Sequence, residues 1–371
     1  MDHLDILVIG GGIGGLTSAI ALGQRGHRVT VIEKDPAWSV YGVGIIQQGN
    51  VLRAVDQLGI LDRYIAAGCG FDAVEVFAPN GMQVARVPSP RLLADHPANV
   101  GVSRRALQAV LADAAREKGA DIRLGLTAER IDQDDTAAKV TFSDGTEGTF
   151  DLVIGADGVY SQTRQMMLPD AEAPQFTGQS VWRYNLSKPD GMDALQVYNG
   201  PTGAGLVPMS GGLMYLYLTT PEPDNPRFAR EGLAARMRER AAPCAPAIRE
   251  LAEQITDDAG VVYRPLEGML VTGPWHNGRA VLLGDAVHAT TPHLGQGAGL
   301  AIEDSLVLAE ELDRHDTIEQ ALAAYRARRF DRCATIVRAS LAICMGQLGK
   351  GPPVDNAQAT AEMFALTAQP I

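Results

Sequence analysis

Residues Asp5–Gly15 read DILVIGGGIGG, an apolar run that breaks into glycines. Asp5–Ile9 has the pattern of a fully buried strand. Helical spacing follows from about Ile13 to Gln24, Gly26 closes it, and Val29–Ile32 (VTVI) reads as a second strand. That order is a β-α-β unit. Within its turn, Gly10, Gly12 and Gly15 have G-x-G-x-x-G spacing. Gly10 permits the tight turn, Gly12 lets backbone approach a pyrophosphate, and Gly15 lets the helix pack close to the sheet. The helix N-terminus then turns its positive end toward phosphates. Glu33 ends the second strand, at the ~20-residue spacing of a carboxylate that binds ribose hydroxyls. An acidic residue there favours an unphosphorylated ribose, as in FAD or NAD.

Two later segments share this texture. Asp151–Gly158 (DLVIGADG) is a buried strand running into an acidic turn, which places Asp157 at a strand C-terminus, where open α/β sheets bind ligands. Further on, Ala280–Leu283 is a strand that ends at Gly284 and Asp285. The Pro- and Gly-rich loop Thr291–Gly299 (TPHLGQGAG) then opens a long helix. Such a loop lets backbone approach a flat ligand, and the helix N-terminus near Gly297 stabilises negative charge.

Between these segments the pattern changes. From about Gln175 to Pro265 short β-prone pieces alternate with Gly and Pro, interrupted by one helical stretch near Glu231–Ala241. The chain is therefore read as a Rossmann-like α/β cofactor domain (residues 1–75, 100–174 and 270–348). A mostly antiparallel β-sheet substrate domain (76–99 and 175–269) is inserted in it. The cofactor domain ends in a C-terminal helical region, and 349–371 is a tail with at most a short helix.

Composition narrows the functional classes. A net charge of −12 argues against nucleic acid or an anionic membrane as partner. The four cysteines (Cys69, Cys244, Cys333 and Cys344) form no CxxC pair, so neither a disulfide framework nor a zinc site is expected, and no metal-ligand cluster is visible. No basic n-region precedes the first strand and no apolar run reaches ~18 residues. The expectation is a soluble cytoplasmic protein, monomeric or homodimeric.

The three segments, in this order and at this spacing, resemble the single-component FAD-dependent aromatic monooxygenases with the p-hydroxybenzoate hydroxylase fold, nearer to the salicylate- and urate-hydroxylating branch. The resemblance runs to about Leu348. It implies FAD as cofactor, NADH or NADPH as cosubstrate, and a small aromatic substrate hydroxylated with O₂ through a flavin C4a-hydroperoxide. It assigns Gly10, Gly12, Gly15 and Glu33 to the ADP half of FAD, and Arg104 to the flavin side chain, with Arg105 the lesser candidate. Asp157 falls to FAD and nicotinamide, Asp285 to the ribityl chain, and Pro292, Gly295 and Gly297 to the flavin-side loop. Gly42, Gly44, Ile45 and Gln47 match a loop that passes the flavin. Trp182-Arg183 matches a sheet motif of the branch.

For substrate, three side chains stand out. Tyr215 and Tyr217 alternate with apolar residues and share one sheet face. They either pack in the sheet or line a pocket, and urate hydroxylases place a substrate-facing tyrosine near Tyr215. Arg183 is read as a ligand for a substrate carboxylate or as a buried structural arginine. His293 is read as a substrate contact or a plain loop histidine, and His288 as structural. Where urate hydroxylases place a substrate arginine, this chain has Thr202-Gly203-Ala204. A nicotinamide dehydrogenase leaves Gly284–Gly299 unexplained, and the W-x-W-x-I-P signature of a flavin halogenase is missing. A related epoxidase or oxygen-insertion enzyme and a non-catalytic flavin-binding protein remain as alternatives.

Overall fold

The computed structural model describes residues 3–40, 42–200 and 202–371, so Met1, the expected first residue of the cofactor domain, lies outside it. The first strand, Asp5–Ile9, is central to a six-stranded sheet. Leu152–Gly155 pairs parallel on one side and Arg28–Glu33 on the other. Ala280–Leu282 and Asp121–Leu124 extend it in parallel, and His276–Asn277 closes one edge antiparallel. Side chains such as Ile6, Leu7, Val153 and Val281 are fully buried, as a parallel sheet covered on both faces requires.

The long C-terminal helix pair begins with Gly297–Arg314, which packs on helix Ile13–Gly23 through small residues. A β-carbon on Gly14 would approach Ala301 at 3.4 Å, and Thr17 Oγ1 lies 2.7 Å from Ser305 Oγ. Gly14 meets Ala301 and Thr17 meets Ser305, so the two helices run side by side in the same direction. Their N-termini therefore lie at the same end of the sheet. Neither N-cap, Gly12 or Gln296, supplies a side-chain cap, leaving backbone N–H groups free for a ligand.

The inserted sheet has seven strands. Val262–Gly268, Gln175–Ser187, Leu213–Pro221, Gly203–Pro208 and Leu195–Tyr198 follow one another antiparallel. Ala73–Phe77 joins in parallel and Gln83–Pro88 forms the far edge. Alternation gives it two faces. Trp182, Leu216 and Leu218 point back into a core with helices Leu233–Ala241 and Pro246–Ala252. Arg183, Tyr215 and Tyr217 point forward.

The structure adds elements that the sequence pattern does not show, among them a second helix of the β region, Pro246–Ala252, beside the expected one at Leu233–Ala241. Gly44–Gln48, Asn99–Ser103 and Gly68–Phe71 form a three-stranded sheet that joins the two domains. Gly101 is its contact point, since a β-carbon there would sit 1.9 Å from the Pro208 carbonyl oxygen. The expected tail is also corrected: Asn356–Ala368 is a full helix, capped by the Asp355 carboxylate accepting from Ala357 N and Gln358 N. Arg53 and Arg332 donate to its last carbonyls and to those just beyond, at Thr367 O (3.0 Å) and Gln369 O (2.8 and 3.0 Å) among others, holding it against the body of the protein.

Candidate active site

The free ends of the two parallel helices, the small connecting sheet and the front face of the large sheet enclose a cleft of about 850 Å³. The glycine turn supplies one end. Gly10 has φ +109°, and a β-carbon there would meet the Ala156 carbonyl oxygen at 2.4 Å. On Gly15 it would meet the Gly10 oxygen at 1.9 Å, whereas nothing lies within 4 Å of the same position on Gly12. Thus Gly10 and Gly15 close the turn behind the cleft and Gly12 opens onto it. Glu33 does not line the cleft itself. Its carboxylate is oriented by two backbone donors, Gly11 N and Asp35 N, each at 2.9 Å. Trp38 Nε1 and Gln108 Nε2 both donate to Gly11 O, at 2.9 and 3.1 Å, and stiffen the same turn.

Asp157 sits elsewhere. Its carboxylate accepts from Ser161 Oγ, from Thr163 N at 3.0 Å and from Thr163 Oγ1 at 2.9 Å, so it organises the start of helix Gln162–Met167. Its neighbours Ala156 and Gly158 line the cleft in its place. Gln47 is likewise turned away, buried and hydrogen-bonded to Tyr64 and to Ile46 O. The rest of that strand, Gly44, Ile45, Ile46 and Gln48, lines the cleft.

The middle of the cleft carries the charges. Arg104 follows strand Asn99–Ser103 and faces inward, while Arg105 is exposed. Asp285 opens helix Asp285–His288 after Gly284, whose φ of +61° turns the chain. Its side chain is open to the cleft but surrounded by protein, and that desolvation raises its pKa against the pull of His288 and Arg104. Pro292, Gly295 and Gly297 line the wall beside it. Gly295, at φ +66°, closes the 3₁₀ turn Pro292–Leu294.

Opposite that wall stand Arg183, Tyr215 and Tyr217. Arg183 pairs in register with Tyr217 across the sheet, and the two tyrosine rings are 6.3 Å apart. Burial lowers the Arg183 pKa to about 10, helped by Arg104 and opposed by Tyr215 and Tyr217. Burial raises the Tyr215 phenol to about 12, against the pull of the two arginines. At neutral pH Arg183 is thus a cation and Tyr215 a protonated donor. Gly44 touches this group: a β-carbon on it would lie 2.4 Å from Tyr215 Cδ1.

His293 lines the cleft as well, but both ring nitrogens are engaged, Nδ1 with Thr291 Oγ1 at 3.0 Å and Nε2 with Gln347 Oε1 at 3.1 Å. Burial pushes its pKa down to about 4, with the Gln347 bond opposing. His288 lies deeper and is fully buried, 2.6 Å from Asp304, which also accepts from Arg329 Nε at 2.8 Å and Gly284 N at 3.0 Å. His288, Asp304 and Cys333 are close enough together to bind a metal, but the Arg329 guanidinium already supplies the positive charge there. The histidine therefore anchors the Asp285 helix to the helix pair. Among the residues sequence reasoning missed are Asn99, Gln108, Thr360 and Phe364, all of which line the cleft. The capping signal at Asp355 was the one clue to the last two.

The sequence pattern of the FAD binding domain family matches residues 3–340. The chain belongs to that family. It is 33% identical to the aurachin C monooxygenase/isomerase of Stigmatella aurantiaca over 94% of this chain and 90% of that protein. It is 32% identical to the 3-hydroxybenzoate 6-hydroxylase of Polaromonas naphthalenivorans, over 91% and 86%. Among solved structures, Klebsiella pneumoniae HpxO complexed with FAD and uric acid superposes with a TM-score of 0.83 at 26% identity, covering 99% of this chain and 93% of that one. The protein is an FAD-dependent monooxygenase of the aromatic-hydroxylase type.

The cleft suits that cofactor. Two uncapped helix N-termini face it, Gly12 leaves open space beside one of them, and a desolvated carboxylate stands between them. Free N–H groups at a positive helix end fit a pyrophosphate, and an accepting carboxylate fits sugar or ribityl hydroxyls. Among the described residues, no helix is long and apolar enough to cross a membrane.

Proposed function

We propose that this monooxygenase hydroxylates a small aromatic or N-heteroaromatic compound, with electrons from NADH or NADPH and the oxygen atom from O₂. The observation that carries the proposal is the convergence of Arg183, Tyr215 and Tyr217 on one sheet face, across the cleft from Pro292–Gly297. Bound FAD supplies the reductive activation of O₂. In this reading Gly12 and the helix it caps hold the pyrophosphate, Glu33 the ribose, and Asp285 and Arg104 the flavin's chain. Gly44, Pro292, Gly295 and Gly297 shape the walls beside the ring system.

The substrate side follows from the charges. Among the described residues, the charged or ionisable groups acting on Arg183 are Arg104, Tyr215 and Tyr217 and include no carboxylate, so it favours an anionic substrate group. Tyr215 donates a hydrogen bond to a ring oxygen or nitrogen, which stabilises the ionised, electron-rich ring. His293 is neutral and fixed by Thr291 and Gln347, so its part is to shape the wall rather than to carry a proton. The apolar surroundings exclude water from the reacting carbon. The names of the relatives agree with a ring substrate, one a hydroxybenzoate and one crystallised with uric acid. Gly203 and Ala204 line the cleft where urate hydroxylases carry an arginine, and this favours a ring other than urate.

The test is a screen of the FAD-loaded protein with NADH or NADPH against phenols, hydroxybenzoates, hydroxypyridines and hydroxyquinolines. One ring should accelerate nicotinamide oxidation and be recovered hydroxylated. The same slow oxidation with every ring, and no product, would contradict the proposal.

A further inference from the structure

One row of residues crosses the front face of the large sheet in register. It runs from Arg183 to Tyr217, Gly205, Val197 and Val76. The row begins at a cation and a phenol and ends in aliphatic side chains. Gly205 in its middle has no side chain, and the Tyr217 ring lies over it: a β-carbon there would be 2.4 Å from that ring. Three strand spacings of ~4.8 Å separate Arg183 from Val197, roughly 14 Å in all. A monocyclic substrate held at Arg183 does not reach Val197.

The far end of the cleft is lined by Ile46, Phe71, Val74, Leu195 and Val197. Leu195 pairs with Val74, so the two stand side by side. Val74, Leu195 and Val197 are only half-buried, although they lie on the inner face of the sheet. Their remaining apolar surface is turned to the cleft. The charged residues of the lining, Arg104, Arg183, Arg264 and Asp285, lie on other elements, and Glu75 beside Val74 is turned to the opposite face, where it pairs with Arg86. A groove with a cationic, phenolic end and an aliphatic end complements a molecule with the same polarity.

We propose that the substrate is amphipathic. A hydroxylated ring is held at Tyr215 and Arg183, and an alkyl or alkenyl substituent lies along the sheet over Leu195, Val197, Val74 and Phe71. This rests on the ring-hydroxylation reading and names the class of ring it applies to. Each methylene buried on those side chains should raise affinity about fourfold until the groove is full.

The experiment is a titration of the FAD-loaded protein with two series, 4-hydroxyquinoline with its 2-methyl, 2-propyl, 2-pentyl and 2-heptyl derivatives, and phenol with the matching 4-alkylphenols. The readout is the change in flavin absorbance. Affinity should climb with chain length in at least one series. Val197→Trp fills the groove and should flatten that climb. Leu195→Ala, a milder change in case the first variant does not fold, should lower the affinity of the heptyl compound several-fold relative to the bare ring. Rings that bind equally well with and without a chain would overturn this inference alone, as would a climb that persists in a folded, FAD-loaded Val197→Trp protein. If no compound of either series perturbs the flavin, this inference falls, and the ring-hydroxylation reading is decided separately by the wider screen with hydroxybenzoates and hydroxypyridines.

Discussion

The ring of Tyr215 occupies the space a side chain on Gly44 would need, with Cδ1 2.4 Å from where the β-carbon would stand. Gly44 opens the strand that pairs with Asn99–Ser103, directly before Arg104. The connecting sheet thus sets the position of the phenol from behind. Gly44→Ala should displace Tyr215, or Met209, whose sulfur lies equally close. Turnover on the ring substrate should fall while FAD content stays near one per chain. Unchanged kinetics would mean that the ring shifts without consequence.

Tyr215→Phe removes one hydroxyl from a phenol that burial keeps protonated, its pKa raised to about 12. A hydrogen bond to a charged partner contributes ~1.5–3 kcal/mol, so hydroxylation should slow by roughly 10- to 100-fold. Slow NAD(P)H oxidation should continue and release hydrogen peroxide, because the acceptor ring is no longer held in place. Product formed per NAD(P)H consumed measures this. Parental coupling would reduce Tyr215 to a packing residue.

Asp285→Ala should yield a folded protein that loses FAD on dilution. The carboxylate stands open to the cleft, and its desolvation outweighs the pull of His288 and Arg104, so hydroxyl donors of a ligand would stabilise it. Flavin absorbance after gel filtration, together with the melting temperature, separates cofactor loss from unfolding. Full FAD occupancy would remove Asp285 from the binding set.

His293 gives a pH signature. Burial pushes its pKa from 6.5 down to about 4 in the folded protein. As pH falls below about 6.5 the unfolded chain takes up a proton that the folded chain refuses, so stability declines toward pH 4. Above 6.5 the residue has no effect. His288 acts in the other direction. Burial alone would lower its pKa, but Cys333 and Asp304 raise it well above 6.5, so its stabilisation is full below 6.5 and declines as pH rises above it. In His293→Asn the loss of melting temperature between pH 6.5 and 4.5 should be shallower than in the parent. Parallel curves would contradict this.

How much of this was legible in the sequence depended on how sharply each residue is constrained. Gly10 and Gly15 stand where any β-carbon collides with backbone, and such positions announce themselves as glycine strings between strand and helix. The alternation of Tyr215 and Tyr217 gave their shared face. The connecting sheet was not visible, because Gly44, Gly68, Gly70 and Gly101 interrupt its strands and its shape comes from contacts distant in sequence, such as Gly101 against Pro208. Helix Asn356–Ala368 was read as tail because most of its surface is exposed and its anchors, Arg53 and Arg332, lie far back in the chain. Asp157 looked like a ligand because it ends a strand, yet its hydrogen bonds with Ser161 and Thr163 can be recognised only in three dimensions. The same holds for Gln47, whose hydrogen bonds with Tyr64 and Ile46 O turn it from the cleft.

The central claim is that a ring in this cleft receives one oxygen atom from O₂. The most direct measurement is the mass of the product formed under ¹⁸O₂ in ordinary water, using the ring that best accelerates NAD(P)H oxidation. The account expects a product heavier by one ¹⁸O, lost when the reaction is run under ¹⁶O₂ in ¹⁸O-labelled water. Label arriving from water, or an oxidised ring that has gained no oxygen, would contradict it.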